Sequence, residues 1–323
     1  MRIDPAIHAL RADRALQQQA QRAMFAACDA WRQDPAVSGA LDELERFGDG
    51  APLEACPALE GLFTGQDEAP ALAAALSRHF AAALAAVPFG HPPFRHSYDG
   101  AVSTLLLASA GRAHLTLHAR EPGTCDHDIS GYSDALRYDA VLAGEADARI
   151  VRCTQRRGQD LPVLHSEAIT LCAGSRIALD LDTETLQVLA ARGRLVTLRL
   201  HRSAADPRPA REHALEDGRL LRQASGSIRS SRQEMMLALL GRMSRPEAVP
   251  TMAAMALDEG DDSLRWQSLR ECLALDTATG FATLATLARR AGDPLAAAAG
   301  ALRAQLVEAH PQLLALESPQ CPA

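Results

Sequence analysis

The amino-acid sequence predicts an α+β protein in which a central β-barrel is flanked by an N-terminal helical segment and a C-terminal helical region. Between residues 91 and 225, short runs of strand-forming residues alternate with turn residues, which is typical of a sandwich or closed barrel. No helical segment separates these runs, and this argues against a parallel sheet. We therefore expect helices in 1–90 and 226–315, the barrel in 91–225, and a disordered tail in 316–323.

The strands of the barrel are predicted from alternating side chains and from the turns between them. His114, Thr116 and His118, for example, alternate with two leucines, a period of two. Glycine-containing turns separate the runs, as at Gly111. The predicted strands are 101–108, 113–118, 137–142, 148–153, 167–172, 176–180, 185–189 and 194–201.

The flanking segments have the apolar periodicity of helices. Leu72, Leu76, Phe80 and Leu84 recur every four residues, and this stripe would cover the barrel or pack on other helices. Residues 213–226 are interpreted as irregular or two-stranded. The predicted helices are 6–32, 39–47, 57–63 and 69–86 before the barrel, and 231–243, 247–257, 262–275, 280–291 and 295–310 after it.

Three motifs of the barrel are similar to those of a known superfamily. Residues 138–145 form a strand that ends in a glycine turn, 171–177 contain the turn that opens a second half, and 185–201 hold the last two strands. On these motifs the barrel resembles the cupin superfamily, and the last two strands resemble those of cysteine-dioxygenase-like cupins. The resemblance covers the barrel alone.

The resemblance implies an iron site made of three histidines, a His-x-His pair and a third histidine on a late strand. Those positions carry Cys125, His127 and Gln187 here, so the resemblance implies a degenerate metal site. Cys125, His127 and Asp126 or Asp128 still combine ligand types that suit zinc. Iron or zinc is therefore a possible cofactor, although a lone histidine in a polar loop is more often solvated than a ligand.

Two further histidines precede the first predicted strand of the barrel. His91 and His96 belong to a segment with a Pro-Pro pair and two phenylalanines, and loops of this kind often carry binding residues. They could supply the ligands that the barrel lacks. The alternative, which we favour, is a linker that packs on the rim of the barrel.

The candidate residues for binding a small molecule are His114, His118, Tyr138 and Gln187. His114 and His118 share one face of a strand. If this face points inward, the barrel has a polar interior suited to a ligand. Because the leucines between them are better core candidates, we expect the histidine face to point outward.

The composition excludes several kinds of chemistry. All 33 basic residues are arginine, and lysine and asparagine are absent, which we attribute to GC-rich, bacterial-type coding. Without lysine no Schiff base can form, so pyridoxal phosphate is excluded as a cofactor. A net charge of −7 and 4% aromatic residues disfavour nucleic acid as a partner.

The seven cysteines are scattered and form no C-x-x-C pair, which is typical of free thiols in a reducing cytoplasm. The N-terminus lacks the apolar core of a signal peptide. No apolar run is judged long enough to span a bilayer. We therefore expect a cytoplasmic protein that does not interact with a membrane.

The C-terminal region contains an internal repeat of 32 residues, which resembles HEAT-type helical repeats in period and helix layout. A plain helical bundle is the alternative. Five methionines at positions 235, 236, 243, 252 and 255 are interpreted as core packing. The repeated positions are Met243, Val249, Met252, Met255, Gly260 and Asp261, matched by Leu275, Phe281, Leu284, Leu287, Gly292 and Asp293.

Two hypotheses of function follow. The first is a non-catalytic cupin-like protein whose barrel binds a small molecule or serves as a scaffold, and whose helical region binds a protein partner. The second is a metal-dependent oxygenase of the thiol-dioxygenase type with a rearranged ligand set from His91, His96, Cys125 and His127. The sequence contains no G-x-S-x-G motif that would support hydrolase chemistry.

Overall fold

The computed structural model describes residues 14–154 and 161–316, and in these residues the chain is α+β. The start of the first predicted helix, the predicted turn at 156–160 and the tail from 317 lie outside the described residues.

The described residues divide into two compact units. The first runs up to Pro207 and also includes Glu212–Leu221, whereas the second comprises Arg208–Arg211 and the chain from Arg222 onward. The N-terminal helices therefore belong to the same unit as the strands that precede Pro207.

Four helices precede the sheets, each within two residues of its predicted bounds where the chain is described. A glycine with a φ of 122° follows the second helix, at Gly50, and a proline at the first position of the third helix starts it without a lost hydrogen bond. The helices are α1 Arg14–Arg32, α2 Ser38–Asp49, α3 Pro57–Thr64 and α4 Glu68–Ala86.

The described residues form thirteen strands, and all eight predicted strands are among them. The strands are β1 Arg95–Tyr98, β2 Val102–Ala110, β3 Ala113–Arg120, β4 Gly123–Thr124, β5 Ile129–Tyr132, β6 Ala135–Ala143, β7 Glu145–Thr154, β8 Val163–Cys172, β9 Arg176–Asp180, β10 Glu184–Ala191, β11 Leu195–Ser203, β12 Ala210–Ala214 and β13 Leu220–Ala224.

These strands form three open sheets, and closure into a barrel stays a prediction. The first sheet has six strands in the order β1-β2-β3-β11-β6-β9, the second has four in the order β4-β10-β7-β8, and the third has three in the order β13-β12-β5. Neighbouring strands in the first two sheets are antiparallel.

The chain passes from the six-stranded to the four-stranded sheet at Gly144, between β6 and β7. Gly144 has a φ of 88°, and a Cβ atom there would lie 2.4 Å from the carbonyl oxygen of Arg194. The corner therefore requires glycine both for its backbone conformation and for the close approach of a neighbouring chain segment. The glycine turn predicted at this position is confirmed.

The first core lies between α1–α4 and the outer face of the six-stranded sheet. Leu115, Leu198 and Leu200 of the sheet are fully buried, as are Trp31 and Phe47 of the helices. Arg202 of β11 adds a polar link, because its Nη1 donates to the carbonyl of Phe47 at 2.9 Å and its guanidinium lies 4.1 Å from the Phe47 ring centroid.

A smaller core fills part of the space between the first two sheets. It joins Val141 and Leu195 of the six-stranded sheet with Ala146, Ala148 and Leu171 of the four-stranded sheet. The two sheets therefore pack face to face, and the face of the large sheet opposite the helices is the interior of a sandwich.

By length and composition alone, α4 could cross a membrane, which differs from the prediction that no run is long enough. The core helix of a soluble protein can have the same length and composition. Leu72, Leu76 and Phe80 of α4 are buried in the first core, so this face of the helix is already covered by protein.

The second unit is helical and has two small cores. Its helices are α5 Ile228–Arg242, α6 Val249–Leu257, α7 Asp262–Leu275, α8 Thr277–Ala288 and α9 Ala296–Ala309. Both glycines of the 32-residue repeat, Gly260 and Gly292, have positive φ. The aspartate after each accepts a hydrogen bond from a backbone N–H. The spacing thus marks two helix pairs with similar turns, while the HEAT-type identity stays a prediction.

The interpretation of the five methionines as core packing is wrong for three of them. Met252 is fully buried, but Met235, Met236 and Met243 are 66%, 56% and 55% exposed. Met255 is partly buried against one of the cores. Helical spacing identifies residues that share a face, but it does not tell which face has a partner.

Candidate functional site

A cavity of about 160 Å³ lies between the two facing sheets. Part of its wall is apolar and comes from both sheets, with Val141 and Leu195 on one side and Leu171 and Val188 on the other. The polar lining residues are His118, Arg120, His127, Arg137, Asp139, Gln187, Thr197 and Arg199.

Most of the polar lining is arranged in rows across β3, β11 and β6. Every second residue of a strand points to the same face, and the register decides which of them lie side by side. From one end of the sheet to the other, the rows are His114–His201–Arg137, Thr116–Arg199–Asp139, His118–Thr197–Val141 and Arg120–Leu195.

Asp139 is the centre of a buried ion-pair cluster. Its side chain is 2% exposed, and it lies between Arg137 and Arg199, which are 13% and 24% exposed. Arg199 donates from Nε to Oδ1 at 2.7 Å and from Nη2 to Oδ2 at 3.2 Å. Arg137 donates from Nε to Oδ2 at 2.9 Å and also from Nη2. The carboxylate therefore accepts four charge-assisted hydrogen bonds.

Burial alone would raise the pKa of Asp139, but the guanidinium groups of Arg199 and Arg137 outweigh it and hold this pKa below its ordinary range. Burial lowers the pKa of Arg137, yet an arginine stays protonated in proteins. The cluster is therefore two cations on one anion.

His118 is neutral in this setting. Burial, followed by the charge of Arg199, lowers the pKa of His118 to about 3. Its Nδ1 lies 3.1 Å from the hydroxyl of Thr104 and its Nε2 lies 2.9 Å from the hydroxyl of Thr116. Because the Thr116 hydroxyl donates to the carbonyl of Arg199 at 3.4 Å, it accepts from Nε2–H, and Thr104 donates to Nδ1.

The expectation that the face of His114 and His118 points outward is wrong at His118. The leucines between them do enter a core, but that core lies under the N-terminal helices, so the histidine face is left to the interior of the sandwich. His118 lines the cavity. His114 lines a neighbouring depression of about 340 Å³ on the same face, where its ring lies nearly parallel to that of His201 at 6.5 Å between centroids.

Gln187 has both ends of its side-chain amide engaged. Its Oε1 accepts from Arg149 Nε at 2.8 Å, and its Nε2 donates to the carbonyl of Ile129 at 2.8 Å. His127 donates from Nε2 to the carbonyl of Val188 at 3.0 Å. These bonds attach residues 127–129 to β10 and close one wall of the cavity.

The residues at the three family positions do not fit an iron held by histidines. The Gln187 amide is committed, His127 uses Nε2 on a carbonyl, and the Cys125 thiol donates to its neighbour's carbonyl at 3.8 Å. Within residues 14–154 and 161–316, no group of three or more His, Cys, Asp or Glu is placed to hold a metal ion. The structure therefore does not bring together His91, His96, Cys125 and His127 as one ligand set.

His96 lies in an edge strand that was not predicted. In β1 it pairs with Leu105 of β2, and all four residues of β1 are exposed. An exposed polar edge strand has no apolar alternation, so the periodicity used for the other strands could not reveal it.

Tyr138 does not line the cavity. It lies between Arg137 and Asp139 in β6, so alternation turns it to the opposite face, where it contacts the rings of Phe47 and Phe63 at 6.3 and 6.2 Å between centroids. Tyr138 is therefore a core residue of the helix-covered side.

The sequence interpretation missed the arginines and the aspartate of the cavity. A usable signal was present, because Arg137 and Asp139 are charged residues at alternate positions of one strand, and Arg199 lies between two leucines. Charged residues that share one face of a strand are compatible either with an ion-paired interior or with a solvated face. Strand pairing is needed to decide between the two.

No family model and no curated protein matches this chain. Among solved structures the neighbours are cupin-superfamily proteins. KdgF from Halomonas sp. has 10% identity and a TM-score of 0.26, with 35% of this chain and 89% of that chain covered. A cupin superfamily protein from Desulfitobacterium hafniense DCB-2 has 17% identity and a TM-score of 0.23, with 33% and 83% covered. The Drosophila melanogaster CENP-C cupin domain has 13% identity and a TM-score of 0.26, with 33% and 74% covered. At these TM-scores the likeness carries no argument about the site.

Proposed function

We propose that the double-sheet part of this chain is a cupin-like binding module that holds a small molecule in the cavity between its sheets without transforming it. The observation that carries this proposal is the cavity itself. It combines apolar walls with polar groups, most of which are held in place by hydrogen bonds, and ligand sites also combine these two features.

The state of the histidines supports binding without catalysis. A general acid or base works best with a pKa near the working pH, whereas the pKa of His118 is about 3. Both of its ring nitrogens already have hydroxyl partners. His118 is thus suited to shape the wall of the cavity and poorly suited to move a proton.

The test is a thermal-shift screen with small molecules of different charge, run beside elemental analysis of protein reconstituted with iron or zinc. We expect some compounds to raise the melting temperature and no metal to be retained in stoichiometric amount. His165, an exposed histidine of β8, provides the control variant His165→Ala. One equivalent of iron that is lost in His127→Ala but kept in His165→Ala would favour the oxygenase hypothesis instead.

We further propose that the helical unit meets a protein partner through the exposed apolar face of α5. Met235, Met236 and Leu239 are 66%, 56% and 57% exposed and lie on one side of the helix, and exposed methionines suit adaptable protein contacts. Sedimentation of the wild-type protein and of a Met235→Ser, Met236→Ser, Leu239→Ser variant tests for self-association through this face. Equal monomer fractions at all concentrations would exclude a second copy of the chain as the partner.

A further inference from the structure

The charges that line the cavity are not balanced. Three guanidinium groups, those of Arg120, Arg137 and Arg199, face one carboxylate, that of Asp139. His118 adds no charge at neutral pH, because burial lowers its pKa to about 3. Excess positive charge inside a protein is costly unless an anion pairs with it.

Several donors around the cavity have no acceptor among the described residues. Arg199 and Arg137 bind Asp139 through Nε and Nη2, which leaves the Nη1 group of each without a bond in the described chain. The Arg120 guanidinium and the Thr197 hydroxyl likewise make no hydrogen bond to any described residue. Thr197 as a whole is only 7% exposed, and it lines the cavity.

These donors line the same cavity and lie in consecutive rows on one face of the sheet. In the paired strands, Thr197 lies one row from Arg199 and one row from Arg120. Arg120 acts on the carboxylate of Asp99, but the pKa of Asp99 is lowered first by backbone hydrogen bonds from Ala101 and Val102 and only then by Arg120. Both of these N–H groups donate to Oδ1 of Asp99, so this oxygen is committed to its own turn.

The geometry points to a small oxyanion as the ligand of this cavity, bound by Arg120, Arg199 and Thr197, with Asp139 as the positioning residue that holds Arg199 and Arg137 in place. This inference rests on the proposed binding function and names its ligand class. The cavity of about 160 Å³ has the volume of about five water molecules. It thus suits an inorganic oxyanion or the carboxylate end of an organic acid, and guanidinium groups recognise both.

The experiment is isothermal titration calorimetry of the whole chain with sulfate, phosphate, acetate and malonate at constant ionic strength in chloride. We expect at least one of them to bind, and Arg120→Gln to weaken this binding at least tenfold. Arg192→Gln is the matched control, because Arg192 is an exposed arginine that pairs with Asp147 on the other sheet. Preference for sulfate or phosphate would indicate an inorganic ligand, and preference for a carboxylate would indicate an organic acid.

A second variant protects the test against a folding defect. Arg137→Met, Asp139→Leu, Arg199→Met removes the whole cluster and leaves no buried charge unpaired, a change that proteins often tolerate. We expect it to melt cooperatively and to lose oxyanion binding. Wild-type affinity in this variant or in Arg120→Gln would overturn the inference.

The neutral compounds of the thermal-shift screen separate the two proposals. If they bind in the cavity and no oxyanion does, the ligand class is wrong and the binding function stands. If nothing binds, both proposals fail.

Discussion

The buried histidines make the stability of the first unit depend on pH in a window that can be calculated. Burial is the largest cause that lowers the pKa of His118 to about 3 and that of His201 to about 4. In the unfolded chain both would titrate near their ordinary value of about 6.5. Between these values the unfolded chain binds a proton that the folded chain refuses, so stability falls as the pH falls from about 6.5 towards 3 or 4.

The size of the effect follows from the same values. Lowering the pH from 7.5 to 5.0 should cost about 2 kcal/mol of unfolding free energy for each histidine, or up to about 4 kcal/mol for the pair. Asp139 does not interfere, because its pKa is held below the ordinary range. Its contribution is present above the unfolded pKa of about 4 and is lost only as the pH falls further.

Tryptophan fluorescence can isolate the first unit. The chain has two tryptophans: Trp31 is fully buried in the first core and Trp266 lies in the second unit. In a Trp266→Phe background, urea unfolding at pH 7.5 and pH 5.0 therefore reports on the first unit alone. In that background, His118→Gln should reduce the loss of unfolding free energy between pH 7.5 and pH 5.0 by about 2 kcal/mol. His165→Gln, at an exposed site, should leave this loss unchanged. If lowering the pH costs the Trp266→Phe protein as much unfolding free energy with His118 present as with His118→Gln, the argument is refuted.

Three further predictions concern other contacts. Arg265→Leu should lower the unfolding free energy of the helical unit by about 3–5 kcal/mol, because the largely buried Asp293 carboxylate loses the guanidinium group that lies 2.5 Å from it. Urea unfolding measures this change, and an effect below 1 kcal/mol would contradict the prediction. Gly144→Ala should destabilise the first unit by about 1–3 kcal/mol, since the new Cβ meets the Arg194 carbonyl, and an unchanged melting temperature would disprove the clash. Arg202→Lys should cost about 1–2 kcal/mol in the same assay, because lysine keeps the charge but cannot bind the carbonyls of Phe47 and Ala51 and lie on the Phe47 ring at the same time. Full retention of stability would mean that charge alone suffices.

The sequence alone was sufficient for most of the strands and helices, because their signals are local. The strands with alternating leucines and the turn at Gly144 lie where predicted, and the helix at 262–275 has the predicted bounds. The strand Arg95–Tyr98 was missed because an edge strand needs only its neighbour's hydrogen bonds, and its own side chains are free to be polar.

The candidate site was harder to predict because two faces of one sheet are both buried. A single alternation of leucine with polar residues normally indicates one core and one solvated face. Here helices cover the leucine face and a second sheet covers the polar face, so His118 was expected in solvent and Tyr138 in the site, and both were misplaced. Which face meets solvent depends on elements distant in sequence, and no local pattern records it.

The interior of the sandwich also bears on its role. A buried ion-pair cluster such as Arg137–Asp139–Arg199 contributes little stability beyond what well-packed apolar side chains would give, because desolvation offsets the attraction of the charges. The neighbouring core between the sheets is built from alanine, valine and leucine, so this fold fills such space with apolar groups elsewhere. Stability is therefore a poor reason for three arginines around one cavity, and recognition of an anion is a sufficient one.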